Sequence, residues 1–146
     1  MKPGEIRATQ MLEKLRESGC RMTPQRLAVI RILGHSTQHP SVEQIFAEMR
    51  DDFPATSLAT VYKTVTLLKE LGEVLELGFG AGSNHYDGRL PEAHPHLVCT
   101  KCAKIEDADL DTMELMAREL TEKSGYQITN HRLDFFGLCS HCRSQA

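Results

Sequence analysis

Cysteine placement constrains this chain of 146 residues more than any other feature: Cys99 and Cys102 form one Cys-x-x-Cys pair, Cys139 and Cys142 a second. A two-residue spacer lets both sulfurs of a pair reach one ion, and two such pairs complete the tetrahedral coordination of a structural Zn2+ site. Whatever fold the second half adopts must then bring residue 102 close to 139. A metal clip across so long a loop is stabilising in principle. Two disulfides or a reactive dithiol are the alternatives. No signal peptide precedes the pairs and the chain opens on a polar, charged segment, so a reducing, cytoplasmic setting is expected and favours metal. Lys101, Lys104 and Arg143 flank the ligands and can offset the charge of a zinc tetrathiolate. Cys20 lies outside the pattern and is expected to pack as an ordinary thiol, and His141 to be solvated rather than a ligand.

A second cluster has different chemistry. His94-Pro95-His96 stands just upstream of the first pair, with carboxylates nearby, and mixed nitrogen and oxygen donors suit a harder ion such as Fe2+ or Mn2+. The formal net charge is −3, which argues against nucleic acid until its distribution is examined. Residues 1–31 hold Lys2, Arg7, Lys14, Arg16, Arg21, Arg26 and Arg31 against Glu5, Glu13 and Glu17. Residues 87–146, which include the candidate metal ligands, hold seven basic and ten acidic residues, a deficit that a divalent ion there would reduce. No apolar run approaches a membrane span, and the length suits one or two small domains.

The first half reads as helices followed by a hairpin. Thr23 is a good N-cap with Pro24 at the first helical position, and Leu27, Ile30 and Leu33 follow at helical spacing. Ser41 and Gln44 make a capping box ahead of Val42, Ile45, Phe46 and Met49. Thr56 or Ser57 caps a further helix whose Leu58, Val61, Val65 and Leu68 share one face, with Gly72 placed to end it. Its other face carries Ala59, Lys63 and Thr66, bordered by Tyr62. Such a face suits the DNA major groove, although a merely solvated face has the same composition. Glu73 to Leu77, a Gly78-Phe79-Gly80-Ala81-Gly82 turn and Asn84 to Asp87 predict a two-stranded wing. The glycine-rich stretch from Gly78 to Pro91 is the expected hinge. Beyond it the pattern predicts strands at His96 to Cys99 and Lys104 to Asp107, a helix from Leu110 to Lys123 ended by Gly125, and a long strand from Gln127 to Phe136. Leu110, Met113, Ala117 and Leu120 form a stripe for core or subunit contact.

Several motifs together carry a resemblance over nearly the whole chain: Arg21-Met22-Thr23-Pro24-Gln25-Arg26, His39-Pro40, Thr60-Val61-Tyr62-Lys63, His85-Tyr86-Asp87, His94-Pro95-His96-Leu97-Val98-Cys99, Cys102-Ala103-Lys104-Ile105 and the final cysteine pair. The chain resembles the ferric uptake regulator (Fur) family of transcription factors and, within it, the peroxide-sensing PerR branch. The resemblance implies an α+β protein: a winged-helix DNA-binding domain over residues 1–87 and a metal-binding α/β dimerisation domain over 88–146. It implies a homodimer that represses transcription from palindromic double-stranded operator DNA, with no membrane partner and no enzymatic role. Thr60, Tyr62, Lys63, Arg21 and Arg26 would face the DNA. Lys63 stands where many members carry Arg, so bidentate guanine readout is not expected from it.

Carried over by position, the resemblance assigns the regulatory Fe2+ or Mn2+ to His39, Asp87, His94, His96 and Asp107, with His39 and His94 as the oxidation-sensitive ligands. It associates Asp at 107 with peroxide sensing and Glu with iron sensing. A third metal site known in some members would lack ligands at Ala93 and Pro95, leaving only Glu114 and His131, so it is expected to be incomplete. The competing readings are a Fur-like iron- or manganese-responsive repressor without peroxide sensing, a zinc sensor, a metal hydrolase, and an interaction module held by zinc. Against a hydrolase, no metalloprotease or deaminase signature is present, and five protein ligands leave little room for water and substrate.

Overall fold

A computed structural model describes residues 1–78 and 84–145. The chain forms two compact units, Met1–Glu92 and Ala93–Ala146.

The first unit is built on four helices, α1 (Pro3–Glu17), α2 (Pro24–His35), α3 (Val42–Met49) and α4 (Leu58–Glu70), followed by the antiparallel strands β1 (Leu75–Leu77) and β2 (His85–Asp87). This is a winged-helix arrangement. Apart from Gly78, the expected glycine turn between the wing strands lies outside the described residues. Each predicted cap forms: Thr23 accepts the amide of Arg26 at 3.2 Å, Ser41 and Gln44 exchange both bonds of the capping box, and Ser57, rather than Thr56, accepts the amide of Thr60 at 3.2 Å. Helix α4 ends as its sequence predicts. Gly72 takes φ +75°, its amide donates to Lys69 and that of Glu73 to Leu68, which satisfies two carbonyls that the helix would otherwise leave open.

Helix α1 was not legible as a helix among its charges. It carries Ala8, Met11, Leu12 and Leu15 at helical spacing, and Met11 and Leu15 are fully buried in the core with Ile30, Leu33, Ile45, Val61, Val65 and Leu68. Gly34 allows the contact between α1 and α2, since a Cβ there would stand 2.9 Å from the carbonyl oxygen of Gly4. Leu58, expected on the buried face of α4, is 40% exposed because it occupies the open first turn; Thr64 is buried instead, its hydroxyl donating to the Thr60 carbonyl at 3.0 Å.

The first unit includes the residues after β2 as far as Glu92. Arg7 of α1 ties them to the helices: its Nε donates to the Gly88 carbonyl at 2.8 Å while its other nitrogens hold Glu73. Asp87 also accepts the amides of Arg89 and Leu90, which ties the following residues to β2.

The second unit is a sheet of order β4-β3-β5, with β3 (His96–Cys99) central, β4 (Ile105–Asp107) antiparallel and β5 (Asp134–Gly137) parallel to it, plus α5 (Met113–Ser124) and the short α6 (Ser140–Ser144). The long strand expected from Gln127 is confined to Asp134–Gly137. Its partner β3 is only four residues long, and His96 opposite Asp134 begins the register, so residues before Asp134 have no strand to pair with. Gly125 at φ +71° ends α5 as predicted. No residue of α5 is buried, so its apolar stripe is surface in the single chain.

Candidate metal centres

The four cysteine sulfurs converge in the second unit, all within 4.8 Å of one another. Cys99 ends β3, Cys102 follows in the turn to β4, and Cys139 and Cys142 bracket the first turn of α6. A tetrahedral ion with Zn–S bonds of about 2.3 Å sets its sulfurs about 3.8 Å apart. The Cys102 and Cys139 sulfurs are 3.9 Å apart and all four lie within 4.8 Å of one another, so the donor set fits zinc with at most a small contraction. Backbone amides prepare the site: Cys102 and Cys139 N–H point at the Cys99 sulfur at 3.5 and 3.4 Å, and Cys142 N–H at that of Cys139 at 3.4 Å. Those bonds hold the Cys99 thiol down at about 6, whereas burial and the neighbouring sulfurs push Cys142 up to about 12. Lys104 contributes as expected but indirectly: its nearest anion is Glu106 at 2.7 Å, with the Cys139 and Cys102 sulfurs adding to what raises its pKa.

The expected regulatory ligands are divided between the two units. In the first, His39 is buried with φ +52°, an uncommon conformation for a residue with a Cβ, and more so before a proline. Neighbouring bonds hold it there: His85 Nδ1 meets the His39 carbonyl at 2.7 Å and the Tyr86 amide donates to the Pro40 carbonyl. His85 thus has a supporting role that its place in the predicted wing strand did not reveal. His39 Nε2 faces Asp87 Oδ2 at 3.3 Å, while Asp87 Oδ1 takes the two amides that follow it.

In the second unit, His94 Nε2 lies 2.7 Å from Asp107 Oδ1 and His96 Nε2 lies 3.4 Å from the same oxygen. The β3–β4 register sets His96 directly opposite Asp107, and the two imidazoles are 4.3 Å apart between centroids. Adjacent donors of an octahedral ion with bonds of about 2.1 Å stand about 3.0 Å apart, and the spacings in both units bracket that value. Asp134, absent from the expected ligands, faces His96 from β5: its Oδ1 is 3.6 Å from His96 Nδ1. Only the parallel register of β3 and β5 brings this residue to view.

The solvent face of α4 exposes Ala59, Lys63 and Thr66, with Tyr62 51% exposed beside them and Thr60 half-buried. Beneath the wing, burial above all, with the Glu76 carboxylate and the neighbouring Tyr62 adding to it, pushes the Tyr86 phenol up to about 12. Arg21 is exposed, and Arg26 turns back to bond its carbonyl.

Comparison with known proteins agrees with this architecture. The model of the ferric uptake regulator family matches residues 17–136. The peroxide-responsive repressor PerR of Staphylococcus epidermidis is 34% identical over 139 residues, 93% of this chain and 90% of that protein. Among solved structures, the Campylobacter jejuni peroxide stress regulator is 34% identical over 92% of this chain and 98% of its own, with a TM-score of 0.72. The Helicobacter pylori ferric uptake regulator, at 24% identity, shares the fold with a TM-score of 0.80 over 98% of this chain and 97% of its own. With a family match over most of its length and a relative at this identity over nearly all of it, the chain belongs to the ferric uptake regulator family of metal-responsive repressors.

Proposed function

We propose that His39, Asp87, His94, His96 and Asp107 hold one regulatory Fe2+ or Mn2+ ion, and that the protein is a homodimeric operator-binding repressor which responds to hydrogen peroxide. Each unit carries a compact set of nitrogen and oxygen donors, and neither set alone approaches the six positions of an octahedral ion. An ion shared by both would fix one relative orientation of the units. At about a hundred times its dissociation constant it would favour that state by roughly 2.7 kcal/mol if it bound no other. Since a shift from 1:99 to 99:1 takes about 5.5 kcal/mol, the switch would be graded rather than absolute. The tetracysteine cluster would hold structural Zn2+. For the dimer, the support is the exposed apolar surface of the second unit, where Leu115, Leu120 and Phe136 are 58%, 56% and 59% exposed.

The observation that carries the peroxide reading is that Asp107 offers a single oxygen to both His94 and His96. A carboxylate gripping through one atom would leave five protein donors and a sixth position for peroxide. Fe2+ held by these residues would supply the redox chemistry to split the peroxide bond, one oxygen adding to an imidazole carbon and the other leaving as water. His39 or His94 would be the acceptor. The added oxygen turns the ring into a cyclic urea, whose nitrogens are poor ligands, so the units would separate and repression would end.

The test is mass spectrometry of Fe2+-loaded protein after a brief peroxide pulse, with a gel shift in parallel. One added oxygen on His39 or His94 together with loss of operator binding is expected. Metal-dependent DNA binding without oxidation would leave an iron- or manganese-responsive repressor. At the DNA, Lys63→Ala is expected to weaken binding and to lower the salt slope by about one ion if Lys63 meets a phosphate, or to relax sequence choice if it meets a base. Unchanged affinity and selectivity would remove it from the interface.

A further inference from the structure

The carboxylate of Asp134 is divided between two environments. Its Oδ2 accepts from Arg132 Nε at 2.7 Å, while its Oδ1 is shut off from solvent with no hydrogen-bond donor in reach among the described residues. That buried oxygen faces Nδ1 of His96 at 3.6 Å, and the parallel pairing of β3 and β5 fixes the two residues side by side. His96 is itself 2% exposed, and its other nitrogen, Nε2, faces Asp107. A buried carboxylate oxygen requires a donor, and a small contraction would give it the Nδ1 proton.

We infer that Asp134 is a positioning residue for the regulatory metal: it takes the Nδ1–H of His96 and so directs the Nε2 lone pair at the ion. Imidazole ligands are commonly oriented in this way by a carboxylate that does not itself touch the metal. Arg132 makes the device directional. In Asp134→Asn the amide must turn its oxygen to Arg132, which only donates, and its NH2 group then faces His96. Nδ1 would have to accept, and the proton would move to Nε2, the atom needed as ligand.

This inference rests on the reading of His96 as a ligand, and the test separates the two. Mn2+ would be titrated into full-length, zinc-loaded protein, with free ion followed by its magnetic resonance signal, for wild type, Asp134→Asn, Asp134→Glu and His96→Ala. Asp134→Asn is expected to bind Mn2+ about 10- to 100-fold more weakly. Asp134→Glu, which restores a carboxylate, should recover most of the loss, and zinc content should stay constant throughout. Wild-type affinity in Asp134→Asn would overturn the inference, as would a loss as complete as that of His96→Ala, which would make Asp134 a ligand. Undiminished binding in His96→Ala would overturn the reading of the site and this inference with it. A measurement on wild type covers the case in which Asp134→Asn does not fold. With a second, diamagnetic Zn2+ bound, nitrogen-15 spectra should show His96 ligating through Nε2 and an Nδ1–H protected from exchange. Ligation through Nδ1, or a freely exchanging proton, would also overturn it.

Discussion

Cys142→Ser is expected to lose the zinc and, with it, the folded second unit. Among the described residues of that unit only Pro95, His96, Cys99, Ile105 and Cys142 are buried, so two of its five interior residues are zinc ligands. The rest of the interior cannot offset the conformational entropy of ordering three strands and two helices. Helix α6 spans five residues, too few for independent stability, and its N-terminal turn is closed by Cys142 N–H on the Cys139 sulfur. Zinc bound by such thiolates contributes about 10 to 16 kcal/mol at neutral pH, comparable to the whole stability of a typical domain. A serine hydroxyl is a weak donor, and loss of the zinc would leave the three remaining cysteines in a partly buried pocket with no ion to draw them together. Zinc content should fall from about one per chain to near zero, with the dimer lost on size-exclusion chromatography and helical signal reduced in circular dichroism. A zinc-free variant that remained a stable, folded dimer would show that the cluster is not what holds the unit together.

Local chemistry explains which features could be read from the sequence. The cysteine spacing needs only two-residue chelation, and the caps at Thr23, Ser41 and Ser57 need only their own first turns, so both were legible. The donors around Asp107 became candidates through the family motifs, whereas the distances to His94 and His96 depend on β4 pairing with β3. Features that depend on a distant partner were less visible. Helix α1 carries six charged residues among its fifteen, and its apolar stripe gains meaning only against α2. The extent of β5 is set by the length of β3. Asp134 reaches His96 through a parallel pairing that no local pattern announces, and His85 supports His39 across 46 residues of chain.

Asp107→Glu is expected to keep metal-dependent DNA binding and to lose much of the peroxide response. The charge is unchanged, so the divalent ion should still bind and DNA retention should still depend on it. The reach is not conserved. Asp107 ends β4 directly opposite His96, where the strand pairing holds its Cα, so an added methylene must be absorbed by the carboxylate itself. The present carboxylate places one oxygen 2.7 Å from His94 and 3.4 Å from His96. A longer arm could turn both oxygens toward a bound ion or displace the one that grips it, and either change would hinder the approach of peroxide. Reactive geometries tolerate displacements of only about 0.5 Å, and a misplacement of about 1 Å can cost on the order of a hundredfold in rate. Oxygen addition at His39 and His94 in the Fe2+-loaded variant should therefore slow by about 10- to 100-fold, with operator release slowed in step. Manganese affinity, by contrast, should stay within a few-fold of wild type, since the donor set keeps its charge and type. Equal oxidation rates in the two proteins would mean that this carboxylate does not set the reactivity, and the case for peroxide over metal as the signal would lose its structural support.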